Sequence, residues 1–111
     1  MRIGELAEKT GLSRDTIRFY ERNGLIASEP GDAQTNSYKN YPDDLVPRLV
    51  VIQQARDAGM AVAEIRVMLD ALNGSCDPAD AKRVALAKIA ELEDSIRQAE
   101  KVIAFLKAQM A

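Results

Sequence analysis

From Ala79 to about Gln109 nothing in the sequence interrupts a helix, and this stretch constrains the fold more than any other. Asp77-Pro78 ahead of it supplies an N-cap and a proline at the first helical position. At 1.5 Å per residue the segment is a rod of roughly 45 Å. Along it Ile89, Leu92, Ile96, Ala99, Ile103, Leu106 and Met110 alternate spacings of three and four, the seam of a heptad repeat. Glu91, Glu93, Asp94, Arg97, Glu100, Lys101 and Lys107 flank that seam. The seam could pack on the rest of its own chain, but what precedes it is too small to cover so long a rod. An exposed apolar stripe of this kind marks an interaction surface. A two-fold homodimer is the default arrangement for it, and heptad spacing leaves parallel and antiparallel pairing open.

The 111 residues divide on this reading into a small domain, 1–74, and a dimerisation helix, 75–111. The small domain is also mostly helical. A short first helix around Glu5–Lys9 ends at Gly11, a left-handed stop. Ser13 is an N-cap candidate for a second helix from Arg14 to about Arg22, which Asn23-Gly24 terminates. Two short helices joined by about three residues with a glycine in the turn form the helix-turn-helix pattern. Leu6, Ala7, Leu12, Ile17 and Leu25 are its expected core.

Residues 26–41 lose helical character. Pro30-Gly31 and Asn36-Ser37 are turn signals, and Thr35, Tyr38 and Tyr41 tolerate extended backbone, so a short β-hairpin, or wing, is expected. Pro42 with Asp43 and Asp44 suits the start of a third helix carrying Leu45, Leu49, Ile52 and Ala55. Pro47 conflicts with that start, so the helix begins late or kinks. Gly59 separates it from a fourth helix, about Val62–Leu72, with Val62, Ile65, Met68, Leu69 and Leu72 as its apolar stripe.

Charge does not advertise a nucleic-acid partner. Net charge is −2, with 8 basic against 9 acidic residues in 1–60 and 7 against 8 in 61–111. DNA binding would require the basic groups to be segregated onto one face. The second helix is where such a face would begin. Arg14 and Arg18 are four apart and share a side, and Thr16, Arg18 and Tyr20 offer donors to phosphates or base edges. The competing assignment is two solvated arginines and a core tyrosine.

The order Ile3-Gly4-Glu5-Leu6-Ala7, Gly11-Leu12-Ser13, Thr16-Ile17-Arg18-Phe19-Tyr20-Glu21, Gly24-Leu25-Ile26, Tyr38-Lys39-Asn40-Tyr41, Ala55-Arg56-Asp57-Ala58-Gly59-Met60 and Glu64-Ile65 resembles the MerR family of bacterial transcriptional regulators. The resemblance runs the length of the chain. It implies a mainly α fold: a winged helix-turn-helix domain with a short β-hairpin wing, followed by a long helix pairing as an antiparallel coiled coil. It implies a cytoplasmic, homodimeric regulator that binds double-stranded promoter DNA and distorts it, reaching RNA polymerase only indirectly through the promoter. Matching positions imply DNA contacts at Arg18, Tyr20, Tyr38, Lys39 and Arg56, with Arg14, Thr16 and Arg48 as weaker carry-overs. Ser37, Phe19, Pro47 and a wing with Gln34 and Lys39 depart from the family pattern.

Metal-sensing relatives in the family hold ions through cysteines after the long helix. This chain reads Gln109-Met110-Ala111 there, with one cysteine and no histidine, so no metal site and no cofactor are expected. Cys76 at the start of the long helix is either a sensor thiol or an incidental loop cysteine. The same cysteine count gives no disulfide framework, and no apolar run suits a membrane span. An enzyme is not expected without histidine or a pocket motif. Two other readings remain: an architectural or excisionase-like DNA-binding protein without effector response, and a protein-interaction module using only the coiled coil.

Overall fold

The structure, a computed structural model, describes residues 1–30, 39–74 and 77–111. Among the described residues five helices follow in order: α1 Ile3–Thr10, α2 Arg14–Arg22, α3 Leu45–Asp57, α4 Val62–Leu72 and α5 Pro78–Met110. They fall into two compact units, Met1–Leu69 and Asp70–Ala111. The mainly helical architecture agrees with expectation.

In the first unit the helix-turn-helix is built by its punctuation. Gly11 adopts φ 75, and its N–H donates to the Ala7 carbonyl at 2.9 Å, closing α1. A side chain at that backbone angle would be strained, which is why glycine stops the helix there. Ser13 Oγ accepts the Thr16 N–H at 3.0 Å and caps α2 as the sequence suggests. α1 packs against both α2 and α3. Leu6, Ile17, Leu25, Leu49, Ile52 and Ile65 are fully buried, while Ala7 and Leu12 are only half-buried.

α3 corrects the expected start. Pro42 lies outside the helix, which begins at Leu45, and Pro47 is its third residue. The first amides of a helix have no intrahelical acceptor, so a missing N–H at that position costs no helical hydrogen bond. Before it, Leu45 and Val46 N–H groups donate to Pro42 and Asp43 carbonyls at 3.1 and 3.2 Å. The late start is therefore what accommodates Pro47. α4 has the expected bounds, and Glu64 accepts the Ala61 N–H at 2.9 Å, half of a capping box.

The expected hairpin falls largely on residues outside those described. Among the described residues there is no β-strand, only an isolated antiparallel bridge between Glu29 and Asn40, with N–H to carbonyl distances of 2.7 and 2.8 Å. The expected turn positions from Gly31 to Ser37, and Tyr38 itself, lie outside the described residues, as does Cys76.

In the second unit α5 begins as expected, with Asp77 Oδ1 accepting the Ala79 N–H at 2.7 Å and Pro78 in the first turn. Its 33 residues contain no buried side chain. Ile89, Ile96, Ile103, Leu106 and Met110 are exposed, and Leu92 is half-buried. Arg83–Asp80, Lys88–Glu91 and Arg97–Asp94 pairs, each three residues apart, decorate it. No helix of the described residues is long and apolar enough to cross a membrane.

Candidate nucleic-acid interface

α2 is amphipathic, and its helical period decides which side chains reach solvent. Ile17 and Tyr20 face the core; Arg14, Asp15, Arg18 and Phe19 are exposed. Arg18 Nη1 lies 3.4 Å from Asp15 Oδ1, an open surface pair that leaves the guanidinium half exposed. Thr16 is only half-exposed, and its Oγ1 accepts the Ser13 hydroxyl at 2.8 Å, so that hydroxyl is engaged in the cap.

Tyr20 stands apart from the other expected contacts. It is 3% exposed, and its hydroxyl donates to Gln53 Oε1 on α3 at 3.0 Å. The ring is a core side chain holding α2 to α3, not part of the outward face. It lies three residues after Ile17, so both fall on one side of the helix. That spacing was the available signal.

The backbone beyond α2 folds back toward the chain start. Tyr41 N–H donates to the Met1 carbonyl at 2.7 Å, and the Met1 amine donates to the Tyr41 carbonyl at 2.9 Å and to Asn40 Oδ1 at 2.7 Å. This pairing brings Arg2 and Lys39 to one rim. The result is an open concavity of about 860 Å³ lined by Arg2, Gly4, Arg14, Arg18, Lys39 and Tyr41, among others. A smaller depression beside it is lined by Arg18, Glu21, Arg22 and Lys39. Five cationic side chains thus share one side of a chain whose net charge is −2.

Two carboxylates accompany them: Glu5, exposed and 3.5 Å from Lys9 Nζ, and Glu21, which is drawn further in. Glu21 Oε2 accepts from Ser28 Oγ at 2.7 Å and from Lys39 Nζ at 3.1 Å, and its Oε1 accepts from the Tyr41 hydroxyl at 2.9 Å. Burial pushes the Glu21 carboxyl up, but the three hydrogen bonds and the Lys39 charge outweigh it and leave it below the ordinary value. The Tyr41 phenol is pushed up to about 12, first by burial and then by its hydrogen bond to Glu21 and that carboxylate's charge; the Arg18 charge acts the other way. Both shifts favour the charged carboxylate and the neutral phenol, the pair that the geometry joins.

The expected site residues therefore separate. Arg14, Arg18 and Lys39 come together at the concavity, with Thr16 on the same helix. Arg48 is half-buried, and its Nε donates to the Leu25 carbonyl at 3.2 Å. Arg56 is exposed and closes the α3–α4 turn, Nη1 to the Met60 carbonyl at 2.8 Å. Neither lines the concavity. Arg2, Arg22 and Glu21 were not singled out from sequence. Arg22 continues the Arg14–Arg18 spacing of four and was legible. Arg2 and Glu21 join through contacts with residues about 40 and 7–20 positions away, which no local pattern encodes.

The MerR HTH family of regulatory proteins matches residues 1–72, and the MerR DNA-binding family matches residues 46–109. The chain belongs to the MerR family. It is 38% identical over 108 residues to heavy metal-dependent transcription regulator 2 of Rhizobium meliloti (strain 1021), covering 96% of this chain and 72% of that protein. A MerR family regulator from Listeria monocytogenes superposes with a TM-score of 0.85 at 22% identity, covering 99% of this chain and 83% of the other. The transcription regulator PbrR691 from Ralstonia metallidurans CH34, solved with lead(II), gives 0.64 at 28% identity, with 96% and 81% covered. This MerR chain is thus a DNA-binding transcriptional regulator, and its relatives belong to a non-enzyme class.

Proposed function

We propose that this MerR-family chain acts as a homodimer that presents two copies of the α2 face to double-stranded promoter DNA and regulates transcription by distorting that DNA. The observation that carries the reading is the segregation of charge. Arg2, Arg14, Arg18, Arg22 and Lys39 converge on one side, although the chain as a whole is acidic. Phosphate attraction depends on the local field of such a face rather than on net charge.

In this reading Arg14 and Arg18 lie along the major groove, with Thr16 beside them, and Lys39 and Tyr38 reach the flanking backbone. Arg48 and Arg56 contact phosphates outside the groove. Tyr20 positions α2 from within the core through Gln53. The exposed α5 seam from Ile89 through Ile96 and Ile103 to Met110 supports the dimer, paired as an antiparallel coiled coil. Domain 1–74 binds DNA and 75–111 dimerises. RNA polymerase feels the protein through the altered promoter, and the protein works in the cytoplasm, where bacterial promoters are.

Footprinting of the DNA upstream of its own gene, at several salt concentrations, tests this. The expected result is a protected, two-fold-symmetric site with a steep loss of affinity as salt rises. Absence of any salt-dependent protection there would sink the reading.

A further inference from the structure

We propose that Glu21 is a positioning residue of the DNA interface: its carboxylate ties α2 to both segments joined at the Glu29–Asn40 bridge and so fixes where Lys39 stands relative to Arg14 and Arg18. The inference rests on the DNA-binding reading above and adds a role for a residue that touches no DNA in it.

The geometry is unusual for a basic face. A negative charge beneath a phosphate-binding surface works against binding, and a solvated glutamate there would be a plain liability. Glu21 is not solvated in that sense: its side chain is 17% exposed, and it accepts three hydrogen bonds from three residues. Ser28 lies just before the bridge, and Lys39 and Tyr41 flank its other side. One carboxylate therefore spans both segments. Among the described residues the bridge itself contributes only two backbone hydrogen bonds and no strand. An isolated pairing of that kind is weak on its own. Glu21 supplies the side-chain cross-links that sheet hydrogen bonding does not, and it anchors them to the helix whose arginines must share a register with Lys39.

The sign of one measurement separates positioning from charge. Glu21→Gln removes a negative charge from a cationic face, which by itself tightens binding to any duplex. If Glu21 positions Lys39, the same variant weakens binding to the specific site, because glutamine offers one oxygen where two now serve three donors. The probes are the footprinted promoter fragment and a random-sequence duplex of equal length. Glu21→Gln lowers affinity for the first by roughly tenfold, the scale of one lost specific contact, while the random duplex binds as well or better. Glu21→Asp keeps the charge, shortens the reach and loses specificity likewise. The double variant Ser28→Ala, Tyr41→Phe leaves Glu21 and its charge in place and keeps the test available should Glu21→Gln unfold; it too lowers the ratio of specific to random binding. An unchanged ratio in any folded variant of this set overturns the proposal. Absence of a footprint for the unaltered protein overturns the DNA reading instead, so the two failures are distinguishable.

Discussion

The Arg14 guanidinium rests over Gly4: a Cβ built on that glycine would lie 2.8 Å from Arg14 Nη2. The missing side chain is what lets the first residue of α2 fold back across the first turn of α1 and face the concavity. Gly4→Ala should separate stability from binding. Alanine favours helix over glycine by up to about 1 kcal/mol, and a flexible arginine tip can move aside, so the melting temperature holds or rises. Arg14 is displaced, and affinity for the promoter fragment falls. Thermal denaturation and titration on one preparation check it; a fall in both or in neither would show that Gly4 does not seat Arg14.

Arg18→Ala should cost roughly 1–3 kcal/mol of specific binding, the worth of an arginine–base contact, and leave the fold intact. Its ion pair with Asp15 is exposed, and such pairs add little to stability. Arg56→Ala should instead weaken binding evenly across sequences and flatten the salt slope by about one unit per protomer. Equal affinity of Arg18→Ala and the parent protein for the footprinted fragment would remove α2 as the reading helix.

Tyr20 behaves differently because it is inside. Tyr20→Phe leaves Gln53 without its donor, a loss of about 0.5–1.5 kcal/mol, and keeps the packing. Tyr20→Ala opens a cavity and should cost about 3–5 kcal/mol, the range for a large aromatic. Urea denaturation reads both. A Tyr20→Ala protein as stable as the parent would mean the ring packs less tightly than its 3% exposure implies.

How much of this was visible in the chain depends on whether the cause is local. Gly11, Ser13 and Asp77-Pro78 act on amides within a turn of themselves, and the helix ends they imply are where the structure has them. Pro42 and Pro47 gave conflicting starts for α3, and only the observed start at Leu45 reconciles them. The charge segregation was not legible, because Arg2 and Lys39 reach Arg14 and Arg18 through the Met1–Tyr41 pairing, about forty residues apart in sequence. Tyr20 was ambiguous because a tyrosine suits both a core and a phosphate; its spacing from Ile17 favoured the core.

Stability should depend on pH at both ends through the Glu21–Tyr41 pair. Glu21 is held below its ordinary value in the fold, so its contribution is present above the unfolded carboxylate range and is lost as pH falls through the folded value. The Tyr41 phenol is raised to about 12, so its contribution is complete below the unfolded tyrosine range near 10 and disappears as pH rises toward about 12. Tyr41→Phe should abolish the alkaline limb contributed by this phenol. Denaturant midpoints of both proteins from pH 8 to 12 check it, and parallel profiles would show that Tyr41 does not titrate as its burial and its hydrogen bond require.

Ile96→Asp tests the dimer. Ile96 lies between Ile89 and Ile103 on the seam and is 57% exposed in the single chain. No side chain of α5 is buried within the chain, so the substitution removes no intrachain core contact. In a two-fold dimer it places an unpaired carboxylate at two related positions in an apolar seam, and each costs several kcal/mol. Sedimentation should then show monomer, with helix content and the first unit's unfolding unchanged. Ala90→Asp puts the same charge one residue after Ile89, on the side of α5 away from the seam, and should remain dimeric. Binding to a two-fold site needs both copies of α2, so Ile96→Asp should lose most of its affinity for the footprinted fragment even though Arg14, Arg18 and Lys39 are untouched. A dimeric Ile96→Asp would place the interface elsewhere on the chain; a monomeric Ile96→Asp with undiminished affinity would show that one copy of α2 suffices.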